Sequence, residues 1–199
     1  MKSNTCKIEK GTKDLAAILS ESEKVAAYNK LNDKQTAQLR LLCEEIDGML
    51  PNIVDDFEGK FWIEYEKDVC KVNVSIQISE FSADKKEEII AISKSKKNSA
   101  AVGIVGRIRN VIEDFFLDEN NTAAFDVTPG MFGSAVGYGE GVDYSYLWSL
   151  EKYREFVKQE NEKENWDELE KSVIASLADD VTVGVKGKQV DIVIVKRFA

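Results

Sequence analysis

The sequence predicts an α+β fold: a two-layer sandwich in which helices cover one face of a β-sheet. Three stretches predict it. In 39–54, LRLLCEEIDGMLPNIV, the residues Leu39, Leu42, Cys43, Ile46, Leu50 and Ile53 recur at the steps that gather side chains on one face of a helix. Between Lys60 and Ile78 two alternating segments, Phe61/Ile63/Tyr65 and Cys70/Val72/Val74/Ile76/Ile78, meet across Lys67-Asp68, which predicts an antiparallel pair with one packed and one polar face. The C-terminus repeats the pattern, with Val181, Val183 and Val185, a Lys186-Gly187-Lys188 turn, and Val190, Ile192 and Ile194.

The remaining elements follow in order. Thr5 to Glu9 alternates weakly, as a short edge strand would, and Leu15, Ile18, Leu19, Val25 and Ala26 predict an amphipathic helix from Thr12 to Tyr28. Leu31-Asn32-Asp33 supplies a break and an N-cap, and Pro51 predicts a kink or stop in the long helix because it lacks an amide donor. Glu58-Gly59 reads as a turn before the first strand of the pair. Ser82-Ala83-Asp84 caps a helix to about Ser93, the lysine-rich Lys94 to Lys97 reads as a solvated loop, and a further helix runs from about Asn98 to Phe115. Gly103 and Gly106 lower its propensity, a cost that close approach of a neighbouring backbone or a ligand would explain. Asp118 to Val142 holds Pro129 and the glycines of 130–141 and reads as a long loop; Asp143–Glu160 and Asn165–Leu177 read as a helical hairpin. The expectation is one domain over 1–199, with an insertion at about 118–179.

Composition narrows the chemistry. The chain of 199 residues contains no histidine, which removes Ser-His and Cys-His nucleophiles and leaves carboxylates, lysines, backbone amides or an oxygen-ligated cation. Cys6, Cys43 and Cys70 are widely spaced and read as small core residues. A net charge of −9 argues against nucleic acid and anionic membranes as partners. No apolar run is long enough to span a bilayer, and the N-terminal MKSNTCKIEKGTK has no apolar core behind its lysines, so the expectation is a cytoplasmic protein without a secretory signal.

The helix LRLLCEEIDGMLPNIV ahead of the FWIEYEKDVCKVNVSI hairpin, the GIVGRI segment from Gly103 and the closing VTVGVKGKQVDIVIVKRF hairpin together resemble the histidine-kinase-like ATPase superfamily (the GHKL or Bergerat fold). The layout is most similar to the anti-sigma-factor serine kinases. The resemblance implies a mixed sheet and a site for ATP and Mg²⁺, with Glu45 as base, Glu44 and Asp47 near the metal, and Gly103 and Gly106 near the phosphates. Met49 stands where the family has an asparagine after Glu45, and Ile76 to Lys85 lacks the Asp-x-Gly-x-Gly box, leaving Asp84 as the aspartate that would meet the adenine. The implied function is a regulatory protein that binds ATP or phosphorylates a protein serine. A nucleotide-independent module stays open beside it, binding a regulatory protein, a small ligand or a second copy as a homodimer, with Trp62, Phe61 and Tyr65 marking a partner surface.

Overall fold

The computed structural model describes residues 1–11, 15–54, 56–78, 103–118, 146–160 and 172–198. Their order is β1 (Cys6–Glu9), α1 (Leu15–Tyr28), α2 (Asp33–Ile53), β2 (Phe57–Glu66), β3 (Val69–Ile78), α3 (Gly103–Asp118), β4 (Tyr146–Ser149), α4 (Leu150–Glu160), α5 (Val173–Leu177), β5 (Asp180–Lys186) and β6 (Gln189–Arg197). The strands form one six-stranded sheet in the order β1-β2-β3-β6-β5-β4. Every ladder in it is antiparallel, which corrects the mixed sheet expected from the resemblance. The reason lies in the closing hairpin. β6 runs antiparallel along β3 from Val69↔Arg197 to Gln77↔Gln189, so it joins the three N-terminal strands to the three C-terminal ones without a parallel crossover.

Alternation along each strand sorts the sheet into two faces. Cross-strand partners share a face, and the row Cys6, Phe61, Val74, Ile192, Val183, Trp148 crosses all the strands on the buried side. The apolar residues of all five described helices join the same hydrophobic cluster: Ile18 and Val25, Leu39 to Ile53, Ile104 to Ile112, Leu150 and Tyr153, Ile174 and Ala175. The helices therefore lie on this face, as the two-layer reading requires. On the other side stand Lys7, Glu58, Lys60, Trp62, Glu64, Lys71 and Gln77.

Local chemistry fixes the element ends. Asn32 accepts from the Gln35 amide at 2.9 Å while the Gln35 side chain accepts from the Asn32 amide at 3.0 Å, a reciprocal capping box at the start of α2. Pro51 sits inside α2, which continues to Ile53; Asn52 Nδ2 donates to the Gly48 carbonyl at 3.1 Å in that turn. Lys67 and Asp68 both take positive φ, the type I′ geometry that matches the twist of the β2–β3 pair. Gly187, also at positive φ, opens the β5–β6 turn.

Three boundaries differ from expectation, one of them in the helix expected over Asn165–Leu177, where Ser172 is extended and caps α5 from Val173. Gly59 lies inside β2, paired with Ile8 and Ile76, where a turn was expected. Tyr146 to Ser149 is an edge strand paired with β5, so the helix expected from Asp143 begins at Leu150. Leu147 and Leu150 fit a helical step in sequence, but the aromatic run pairs with a neighbouring strand, a long-range gain that local periodicity does not contain. Ser149 Oγ accepts from the Lys152 amide at 3.2 Å and Asp180 Oδ1 from the Glu151 amide at 2.9 Å, which together end the strand and start α4. The helix expected at Ser82–Ser93, the lysines at 94–97, the glycine-rich 129–141 and the joint at 161–164 lie outside the described residues.

The segment leading into β1 is held by a carboxylate. Glu21 of α1, its side chain only 9% exposed, accepts from the Asn4 amide at 2.9 Å, from Asn4 Nδ2 at 3.1 Å and from Lys24 Nζ at 2.7 Å. The Lys24 hydrogen bond outweighs desolvation, and with the Asn4 bonds and the Lys24 charge it holds the Glu21 carboxyl below its usual value. A lowered folded-state pKa means that the stabilisation is complete above the unfolded value and lost as pH falls through the folded one. Glu21→Gln is expected to cost about 1–3 kcal/mol at neutral pH, and the difference from the parent in urea melts should shrink below about pH 4. A gap that stays constant down to pH 2 would refute the role of the charge.

Candidate functional site

α2 was the helix expected to carry catalytic carboxylates, and its packing decides where they stand. Leu39, Leu42, Cys43, Ile46, Met49, Leu50 and Ile53 are buried against the sheet and the neighbouring helices, while Glu45 and Asp47 are half-buried along the stripe's margins and Glu44, also half-buried, lies on the outer face with Leu41 and Gly48. Glu45 and Asp47, two residues apart, are separated by about 200° around the helix and occupy opposite margins. Glu44 accepts from Arg40 Nε at 3.0 Å, and the same guanidinium donates through Nη1 to Glu23 of α1 at 3.2 Å. Glu44 is thus engaged in tying α2 to α1. Among the described residues no group of three or more Cys, Asp or Glu side chains is placed to hold a metal ion.

α3 packs against α2 and over β5, so the glutamate helix and the glycine helix are neighbours. Gly103 is the first residue of α3, and Gly106 is buried one turn further on. Asp84 lies outside the described residues. The cysteines form no disulfide and are buried, as expected: burial pushes the Cys43 thiol well up, and the Cys70 thiol up to about 12, so neither is a thiolate nucleophile near neutral pH.

A groove of about 600 Å³ opens where the N-terminal residues meet the β2–β3 hairpin, lined by Met1, Lys2, Glu64, Tyr65, Glu66, Lys67, Val69 and Lys71. Lys2 pairs with Glu64 across an isolated antiparallel bridge, Ser3 donates its amide to the Ile63 carbonyl at 2.8 Å, and Tyr65 donates to the Met1 carbonyl at 2.8 Å. Beside it Trp62 Nε1 donates to Glu64 Oε1 at 2.9 Å, Lys2 Nζ contacts the same oxygen at 3.1 Å, and the Lys2 ammonium stands 4.8 Å from the Trp62 ring centroid. Burial would raise the Glu64 carboxyl, but the Trp62 and Lys2 hydrogen bonds and the Lys2 and Lys71 charges together lower it, so it is ionised at neutral pH. The alternation of Trp62 against Phe61 was the signal for this face. Phe61 and Tyr65, grouped with it in the sequence reading, point to the helices and are buried; Lys2 and Lys71 carried no signal, because only the strand register brings them to Trp62.

No family model and no curated protein matches the chain.

Proposed function

We propose that the chain is a regulatory binding module, cytoplasmic, which engages an acidic segment of a protein partner through the groove beside Trp62 and does not turn over a nucleotide. One observation carries this reading. Within the groove Glu64 is paired with Lys2 and accepts from the Trp62 indole, the exposed Lys67 stands 4.0 Å from Glu66, and the exposed Lys71 makes three lysines against two glutamates, a local positive excess on a chain of net charge −9. Such a spot selects partners of opposite charge and repels most of this chain's own surface. Peptides selected by display against the wild-type protein are expected to be acidic and to lose about tenfold or more in affinity on Lys71→Glu. Enrichment of peptides without acidic character, or affinity untouched by that reversal, would end the proposal; a concentration-dependent dimer in sedimentation that the reversal abolishes would assign the face to a second copy instead.

The packing of α3 against α2 supports a second reading, a histidine-kinase-like ATPase scaffold that binds ATP and Mg²⁺, with Glu45 as base, Glu44 and Asp47 toward the metal and Gly103 and Gly106 toward the phosphates. Mg-ATP at millimolar concentration separates the two. The binding-module reading expects no shift in Tm and no heat in calorimetry, whereas a Tm rise that Glu45→Gln alters would transfer the function to the ATPase reading.

A further inference from the structure

At the far edge of the sheet from that groove, Trp148 of β4 is buried to 1% exposure, and its indole Nε1–H has no hydrogen-bond partner among the described residues. Buried donors are paired in nearly all folded proteins, because an unmade bond forfeits the hydration that the group gave up. Trp148 therefore presents a buried donor that calls for an acceptor. Its neighbourhood says what kind. Across the ladder it faces Val183, which offers only hydrocarbon, and its ring lies 6.1 Å from that of Tyr153 on α4. The Arg107 guanidinium of α3 lies over that same Tyr153 ring, 4.9 Å from its centroid.

We propose that Trp148 is the anchoring donor of a binding site for a small oxyanion, a phosphate or a carboxylate, at the junction of β4, α4 and α3. An indole N–H and a guanidinium are donors without acceptor capacity. A water molecule taken up there would need acceptors for its own hydrogens, which neither of these two groups offers, and a buried water is stable only with several polar partners. An oxyanion has acceptors alone and matches donors alone. Arg107 supplies the compensating charge, since a guanidinium has more N–H groups than one partner uses, and it is half-buried, so that its edge of the junction meets solvent. The site is independent of the groove beside Trp62.

The test reads the indole protons of the intact protein in ¹H–¹⁵N spectra during separate titrations with inorganic phosphate and with acetate at constant ionic strength. Trp148 is assigned from Trp148→Phe, or by elimination from Trp62→Phe and Trp166→Phe should that variant not fold. The expected result is a saturable downfield shift of the Trp148 Nε1–H in one titration, larger than at the other indoles, with the midpoint raised about tenfold or more by Arg107→Gln. The arm that saturates names the anion. An indole proton that stays in place in both titrations, moves only in step with those of Trp62 and Trp166, or shows exchange with a resident water overturns the proposal.

Discussion

Gly59→Ala is expected to destabilise the protein by about 3 kcal/mol or more, enough to leave a domain of ordinary stability largely unfolded on mild denaturation. Gly59 lies on the buried face of β2 between Ile8 and Ile76. A Cβ built there would stand 2.8 Å from Ile76 Cγ2 and 2.9 Å from Ile76 Cα, and closer still to the Ser75 carbonyl oxygen. A rotamer change could relieve the Cγ2 contact, but Cα and the carbonyl belong to the backbone of the adjacent strand. Accommodating the methyl group means separating β2 from β3 inside the ladder, at the third pair from its Phe57 end, where strands are held about 4.8 Å apart. Gly48, in α2 and exposed, is the control: an added Cβ meets nothing within 4 Å, and Gly48→Ala is expected to stabilise by about 0.5–1 kcal/mol through backbone entropy. Urea denaturation of both variants reads the difference. Equal midpoints would show that the β2–β3 spacing can yield, and the steric argument would fail.

Gly59 also shows where sequence reasoning stops. A glycine after a glutamate is ordinary turn chemistry, and its role as a spacer inside a strand exists only once Ile76 is brought opposite it. The same division runs through the fold. Repeating apolar spacing in α2, β2, β3, β5 and β6 identified the buried set, because a period of two or of three to four residues is imposed by the element itself. Strand direction across β3–β6 and the strand character of Tyr146 to Ser149 depend on partners more than a hundred residues or some thirty residues away, and no local pattern encodes them. The site divides likewise. Trp62 was legible as an aromatic on a polar face, but its ion partners come from the register, and the indole of Trp148, unpaired among the described residues, is a property of its surroundings alone. Glu44, Glu45 and Asp47 were legible as a cluster in sequence; the helical turn that spaces them distributes them to the outer face and the two margins.

That distribution makes α2 the place to separate structure from chemistry. Ile46 is fully buried in the face that α2 turns to the core, and Ile46→Ala is expected to cost about 2–5 kcal/mol, through lost apolar contact and a cavity that the sheet cannot collapse to fill. For a chain of this length that lowers Tm by on the order of 10 °C. Glu45, adjacent in sequence but on the half-buried margin, is expected to tolerate Gln within about 0.5 kcal/mol, because the replacement keeps the shape and the helix propensity and removes a charge that still meets solvent. Thermal melts of the two variants side by side give the comparison. A spine residue and a rim residue one position apart should then differ several-fold in cost, which leaves Glu45→Gln as a folded protein in which any effect on Mg-ATP binding or turnover reports chemistry. If Glu45→Gln is instead as damaging as Ile46→Ala, the carboxylate carries structure that its position on the rim does not explain, and neither its use as a catalytic probe nor the division of α2 into spine and rim survives.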